Sequence, residues 1–221
     1  MKLLISGLTK FIFGAAIIGL MLFLPAGTFR YFNGWLFLGL LFIPMLIMGV
    51  VMYIKSPDLL KKRLDSKEKR GAQKGVLALS GLMFPIGFVV SALDFRFGWS
   101  DVSFWGLYVS CDLFLAGYIL YAEVMRENAY LSRKIEIQEG QRVISTGLYS
   151  IVRHPMYLAT LLMFLPIPVI LGSLWGLFAF ALYPIIIVIR IKDEEKMLLS
   201  ELSGYKEYTE KVKYRLIPFV W

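Results

Sequence analysis

The chain has 221 residues, 58% hydrophobic and 15% aromatic, with a formal net charge of +8. A mean hydropathy of +0.67 excludes an ordinary soluble domain and marks an integral membrane protein. One cysteine, Cys111, and one histidine, His154, exclude a disulfide framework, a cysteine metal cluster and any two-histidine metal site.

A transmembrane helix needs roughly 20 mostly apolar residues, and such runs occur near 8–27, 34–54, 75–93 and 102–122. The first has Lys2 and Lys10 close to its start, but its end, "LPAGT", lacks a small-x-small cleavage site, so a retained span is expected rather than a signal peptide. Two shorter runs, 156–171 and 174–191, are separated only by Gly172 and Ser173 and predict a helical hairpin whose depth in the bilayer the sequence leaves open.

Of the 24 Lys and Arg, only Arg30 and Arg96 fall on the loops opposite the basic segment "KSPDLLKKRLDSKEKRGAQKG". The positive-inside rule makes the basic side cytoplasmic and puts both termini there. The excess charge therefore reports topology and contact with anionic lipid headgroups rather than nucleic acid. The expected fold is an all-α integral membrane protein with six apolar helical segments, the last two a hairpin, followed by a C-terminal amphipathic interfacial helix. It forms a single membrane domain over 1–221, with four N-terminal spans in 1–122 and the ionisable groups concentrated in 123–221.

Within the fourth run stands Asp112. A charged residue in mid-span costs about 2.5 to 3.5 kcal/mol on insertion scales, so it is either functional or a structural carboxyl hydrogen-bonded to Tyr108 one turn back. Residues 123–146 extend the fourth helix and then become extended around "KIEIQEGQRVI", where Ile135, Ile137, Val143 and Ile144 flank Glu139-Gly140. The next helix starts at Pro155, a residue suited to a first turn. His154 then sits at the N-cap, where backbone N–H groups and the helix dipole favour an anion, and Arg153 adds a full charge. The alternative is an interfacial histidine that merely caps a helix.

After the hairpin, Arg190 and Glu194 stand at i and i+4 on one face of a helix leaving the bilayer, with Glu195 beside them. The plain reading is a solvated pair worth a few tenths of a kcal/mol. Further on, Leu198, Leu202, Tyr205 and Val212 recur at helical spacing, as on an amphipathic helix lying on the membrane. No G-x-G-x-x-G or G-x-x-x-x-G-K-[ST] occurs, so a nucleotide-like cofactor would need a site other than a Rossmann crevice or a P-loop.

The stretch "GLYSIVRHPMYLAT" resembles the R-H-P-x-Y-x-G motif of the isoprenylcysteine carboxyl methyltransferase family and its relatives among phospholipid N-methyltransferases. "RIKDEEKMLL" with "GYKEYTEKVKYRLIPFVW" resembles that family's R-x-x-x-E-E motif and C-terminal ending. The resemblance spans about 125–221. It implies binding of S-adenosylmethionine at the cytoplasmic face and a lipid-linked acceptor entering from the bilayer, with carboxyl methylation of a prenylcysteine-like substrate expected first. It further implies that Tyr149, Arg153, His154, Pro155, Tyr157, Glu194 and Glu195 hold the cofactor and that Arg190 and Glu194 serve the reaction end. No metal is implied. Two departures stand out: Ala159 where the motif has glycine, and Leu148 where many relatives have proline.

The residue types suit that chemistry. A cofactor carboxylate suits a positive helix start, and a sulfonium suits carboxylates and tyrosine faces. A carboxylate acceptor needs only orientation by Arg190, whereas an amine acceptor must lose a proton to Glu194 or Glu195. Two rivals remain open. "YRLIPFVW" also resembles the end of the membrane sterol reductases, which would make the chain a nicotinamide-dependent reductase, and a non-catalytic membrane scaffold would keep the helices without the chemistry.

Overall fold

The structure, a computed structural model, describes residues 2–64, 71–131 and 137–221, with only the backbone described at 2, 71–74, 76 and 77. It contains α1 (Lys2–Ala26), α2 (Phe32–Lys55), α3 (Pro57–Leu64), α4 (Gly71–Phe97) and α5 (Phe104–Glu127), then α6 (Pro155–Phe164), α7 (Ile167–Ile170), α8 (Gly176–Phe180), α9 (Leu182–Glu201) and α10 (Tyr205–Lys211). No strand occurs among the described residues. Helices α1, α2, α4 and α5 are long and apolar enough to cross a membrane, because hydrogen bonds made within the helix are the only way to satisfy a lone spanning backbone in lipid.

The apolar stretch from Pro155 to Ile170 is shorter than these. Pro166 and Pro168 interrupt it, since each lacks an N–H and its ring opposes a continuous helix, and the chain turns at Gly172 with φ of 77°. Three contacts fix how far this hairpin reaches. The Tyr31 hydroxyl donates to Leu171 O at 2.6 Å, Asn33 Nδ2 donates to Ile170 O at 2.8 Å, and Ser173 Oγ donates to Asp94 Oδ2 at 2.5 Å. Asp94 is buried and also accepts from Ser100 N and Ser100 Oγ, each at 2.7 Å. The hairpin turn therefore lies level with the α1–α2 and α4–α5 connections, at the same end as Arg30 and Arg96.

Between these layers the core is aromatic. Phe37, Phe88, Phe114 and Phe180 are buried together with Tyr157 and Tyr183. Helices α5 and α6 touch backbone to backbone at Gly117, where a Cβ would stand 2.9 Å from Ala159 O and 2.6 Å from Met163 Cγ. Asp112 lies on the exposed face of α5.

Two expectations change. Of the extended segment, residues 134–136 lie outside the described residues, and 137–146 form an irregular run with a turn at Glu139-Gly140. The expected single amphipathic helix is two pieces, the end of α9 and α10, broken at Gly204 with φ of 82°. Its apolar residues pack on protein rather than lying open to lipid: Leu198, Tyr205, Tyr208 and Val212 form a cluster with Met197, Ile137, Val143 and Leu202.

Candidate functional site

At the end of the bundle opposite that hairpin turn, the residues just after α5, the 137–149 segment, the start of α6, α9 and α10 line a cavity of about 90 Å³. The wall toward α5 is set by Gly147. Its φ is 49°, and a Cβ there would fall 1.4 Å from Glu127 Oε1, so no other residue allows this approach. Glu127 Oε2 accepts from Leu148 N at 3.0 Å, and Asn128 Nδ2 donates to the Tyr149 hydroxyl at 2.9 Å. The Tyr208 hydroxyl closes the other side by donating to Tyr149 O at 2.6 Å.

The sequence-predicted residues separate into two groups. In the first, Glu195 Oε1 accepts from Arg153 Nε at 2.7 Å and lies 3.3 Å from His154 Nε2, while Glu195 Oε2 accepts from Arg215 Nε at 2.6 Å. Arg153 Nη1 also donates to Val212 O at 2.7 Å and Lys213 O at 3.0 Å. The backbone N–H groups of Arg153 and His154 donate to Tyr214 O and Arg215 O at 2.9 and 2.8 Å. Arg153, His154 and Glu195 are all buried.

Burial by itself would raise the pKa of Glu195, but hydrogen bonds from His154, Arg153 and Arg215 outweigh it and bring it to about 2. This group is a clamp that fastens the C-terminal tail across the start of α6. The positive charge expected to await an anion is largely matched within the protein: Arg153 serves Glu195 and the tail carbonyls. Pro155, at the first position of α6, brings no N–H.

The second group is centred on the Tyr157 hydroxyl. It donates to Glu194 Oε2 at 2.6 Å and accepts from Arg190 Nε at 2.9 Å, so the i,i+4 pair on α9 meets one phenol from α6. Tyr157 is buried and Glu194 is half-buried. Tyr149, Arg153, His154, Tyr157 and Glu194 line the cavity. Arg190 and Glu195 stand behind that lining, and Ala159 is fully buried against α5.

Arg215, Asn128 and Arg142 have no role in the sequence reading, yet Arg215 completes the clamp and the other two line the cavity. Arg215 stands in "YRLIPFVW", a run quoted for its likeness alone. Asn128 and Arg142 belong to a segment without periodicity, so nothing local marks their direction. The described residues hold no group of three or more potential metal ligands.

Residues 105–206 match the family model described as phospholipid methyltransferase. That segment runs from the first turn of α5 to the start of α10 and contains every residue of the Tyr157 group, but stops short of Arg215. Over 85 residues the chain is 33% identical to Delta(14)-sterol reductase TM7SF2 of Mus musculus, covering 37% of this chain and 20% of the relative. Over 136 residues it is 24% identical to Delta(14)-sterol reductase of Methylotuvimicrobium alcaliphilum, covering 55% of this chain and 32% of the relative. The aligned parts thus span a fifth and about a third of those relatives. By its long apolar helices and the family match, the chain is an integral membrane protein with a domain similar to the phospholipid methyltransferases.

Proposed function

We propose that the chain is an S-adenosylmethionine-dependent methyltransferase whose acceptor is borne by a membrane lipid. The observation that carries this reading is the Arg190–Tyr157–Glu194 bridge, which sets a cation and a carboxylate on one buried phenol beside an aromatic-lined cavity. The cofactor supplies an electrophilic methyl on a sulfonium. The residues fit it in kind: Glu194 and the faces of Tyr149, Tyr157, Tyr205 and Tyr208 suit a cation, and Arg142 and His154 suit a carboxylate.

The cavity of about 90 Å³ is smaller than the roughly 300 Å³ of ordinary ligand pockets. Binding therefore entails an outward shift of the 137–146 segment, which carries no regular structure. On this reading Arg190 orients the acceptor and Glu194 faces the sulfonium or takes a proton from an amine. The family match supports a phospholipid acceptor; the prenylcysteine-like carboxylate expected from the motifs rests on resemblance. The Lys and Arg bias of the loops supports a cytoplasmic site.

A second reading, a nicotinamide-dependent reductase, is favoured by the two sterol-reductase alignments. Calorimetry of the full chain in nanodiscs separates them. Adenosylmethionine is expected to bind, and Glu194→Gln to weaken it; binding of NADPH with no heat from adenosylmethionine overturns the methyltransferase reading.

A further inference from the structure

Tyr205 opens α10 directly after Gly204, whose left-handed backbone breaks the helix and starts a new one against the end of α9. Its backbone N–H donates to Leu202 O at 3.2 Å. The ring packs with Met197, Leu198, Tyr208 and Val212, and its centre lies 5.7 Å from that of Tyr208. Protein therefore holds the side chain in place. It is 4% exposed and lines the cavity.

The other tyrosines of that lining have engaged hydroxyls. Tyr149 accepts from Asn128, Tyr157 bridges Arg190 and Glu194, and Tyr208 donates to Tyr149 O. The Tyr205 hydroxyl is buried without a hydrogen-bond partner among the described residues. Leaving a buried hydroxyl unpaired costs free energy, and native proteins rarely do so. Burial, and after it the carboxylates of Glu195 and Glu194, push its pKa up, so the phenol keeps its proton at neutral pH. What it lacks is therefore an acceptor. Each of the two carboxylates acts on it more strongly than the Arg153 guanidinium does, which disfavours an anion in that role.

We infer that the Tyr205 hydroxyl anchors the cofactor, donating its hydrogen bond to an uncharged acceptor of the nucleoside part, a ribose hydroxyl or an adenine ring nitrogen. The inference rests on the methyltransferase reading for the identity of that cofactor. Elimination leads to the nucleoside. The sulfonium and the ammonium of adenosylmethionine have no lone pair to accept with, and its carboxylate is disfavoured beside two glutamates. The neutral oxygens and ring nitrogens remain. Tyr205 then has two roles that do not compete, a ring face in the wall and a hydroxyl that fixes the ligand's position.

The test compares Tyr205→Phe and Tyr208→Phe with wild type, as full chains in neutral detergent. Thermal unfolding of the ligand-free protein is one readout. Calorimetry with adenosylmethionine and with methylthioadenosine, which keeps the nucleoside but has neither the sulfonium nor the amino-acid end, is the other. Tyr205→Phe has no internal bond to lose, so it should unfold at the wild-type temperature or above it, whereas Tyr208→Phe breaks the bond to Tyr149 O and should unfold lower. Both ligands should bind Tyr205→Phe about three- to tenfold more weakly than wild type. Unchanged affinity, the result if water alone serves the hydroxyl, overturns the inference. So does a lowered unfolding temperature in Tyr205→Phe, or a loss confined to adenosylmethionine. If the wild type binds NADPH and not adenosylmethionine, the methyltransferase reading fails. The hydroxyl is then judged on NADPH, whose nucleosides carry the same acceptors, and unchanged affinity in Tyr205→Phe overturns the inference there too.

Discussion

Glu194 and Glu195 are neighbours on α9, and the surroundings of each give it a different job. A step of one residue turns a helix by 100°. That rotation sends Glu195 to Arg153, His154 and Arg215, where both of its oxygens are taken and its pKa falls to about 2. Glu194 goes instead to the Tyr157 hydroxyl at the cavity wall. The pair of adjacent acids in the motif thus joins a structural clamp to the wall of the cavity. Residue type alone does not say which member does which.

The strongest way to break this contrast is to remove the clamp. Glu195→Ala leaves Arg153 as a buried, uncompensated charge, and losing one partner of a buried ion pair costs about 3 to 5 kcal/mol. Thermal unfolding in detergent should register that loss, and limited proteolysis should cut the tail after Val212 first. If Glu195→Ala keeps wild-type stability and a protected tail but loses cofactor binding, the division of labour between the two glutamates is reversed.

Acid offers a graded version of the same test. The pKa of Glu195 is lowered in the folded state from 4.5 to about 2, so the folded form holds fewer protons there and its contribution is complete above pH 4.5. It is lost as the pH falls through about 2. Tail protection against pepsin should accordingly hold at pH 4.5 and decline toward pH 2. The Glu195→Gln protein, lacking the titrating group, should show no such decline tied to the clamp.

At the cavity wall, on the proposed methyltransferase reading, the effects move from stability to turnover. Arg190→Lys keeps charge but not the planar fork, and is expected to lower methyl transfer by roughly 10- to 100-fold, about 1 to 3 kcal/mol, with little change in unfolding. Glu194→Gln should weaken cofactor binding by a similar amount. Near-normal turnover and binding in both variants would return the pair to a solvated surface role.

These contrasts also mark what the sequence made legible. The long spans were readable because hydropathy is a local property, and the shared face of Arg190 and Glu194 because helical spacing is. Their meeting point was not, since Tyr157 lies 33 positions before Arg190 and spacing carries no information across such a gap. The same limit hid Arg215, which reaches Glu195 from 20 positions away. Asp112 drew attention by standing in mid-span, yet it is exposed on α5. Asp94, just beyond the predicted end of the third span, is the buried carboxylate that pins the far end of the hairpin through Ser100 and Ser173.

The smallest expected effect concerns Ala159, the motif departure that bears on pocket size. If its methyl narrowed the pocket, Ala159→Gly would restore the motif and tighten the cofactor. The side chain is fully buried within α6, and its carbonyl lies where α5 comes closest, at Gly117. It stands outside the cavity lining. Glycine inside a helix costs roughly 0.5 to 1 kcal/mol relative to alanine, so Ala159→Gly should lose about that much stability and leave adenosylmethionine affinity unchanged. The converse change, Gly117→Ala, puts a methyl 2.6 Å from Met163 Cγ and 2.9 Å from Ala159 O, and should force the two helices apart. A gain in cofactor affinity on Ala159→Gly, without the stability loss, would move residue 159 from the α5–α6 contact to the binding wall.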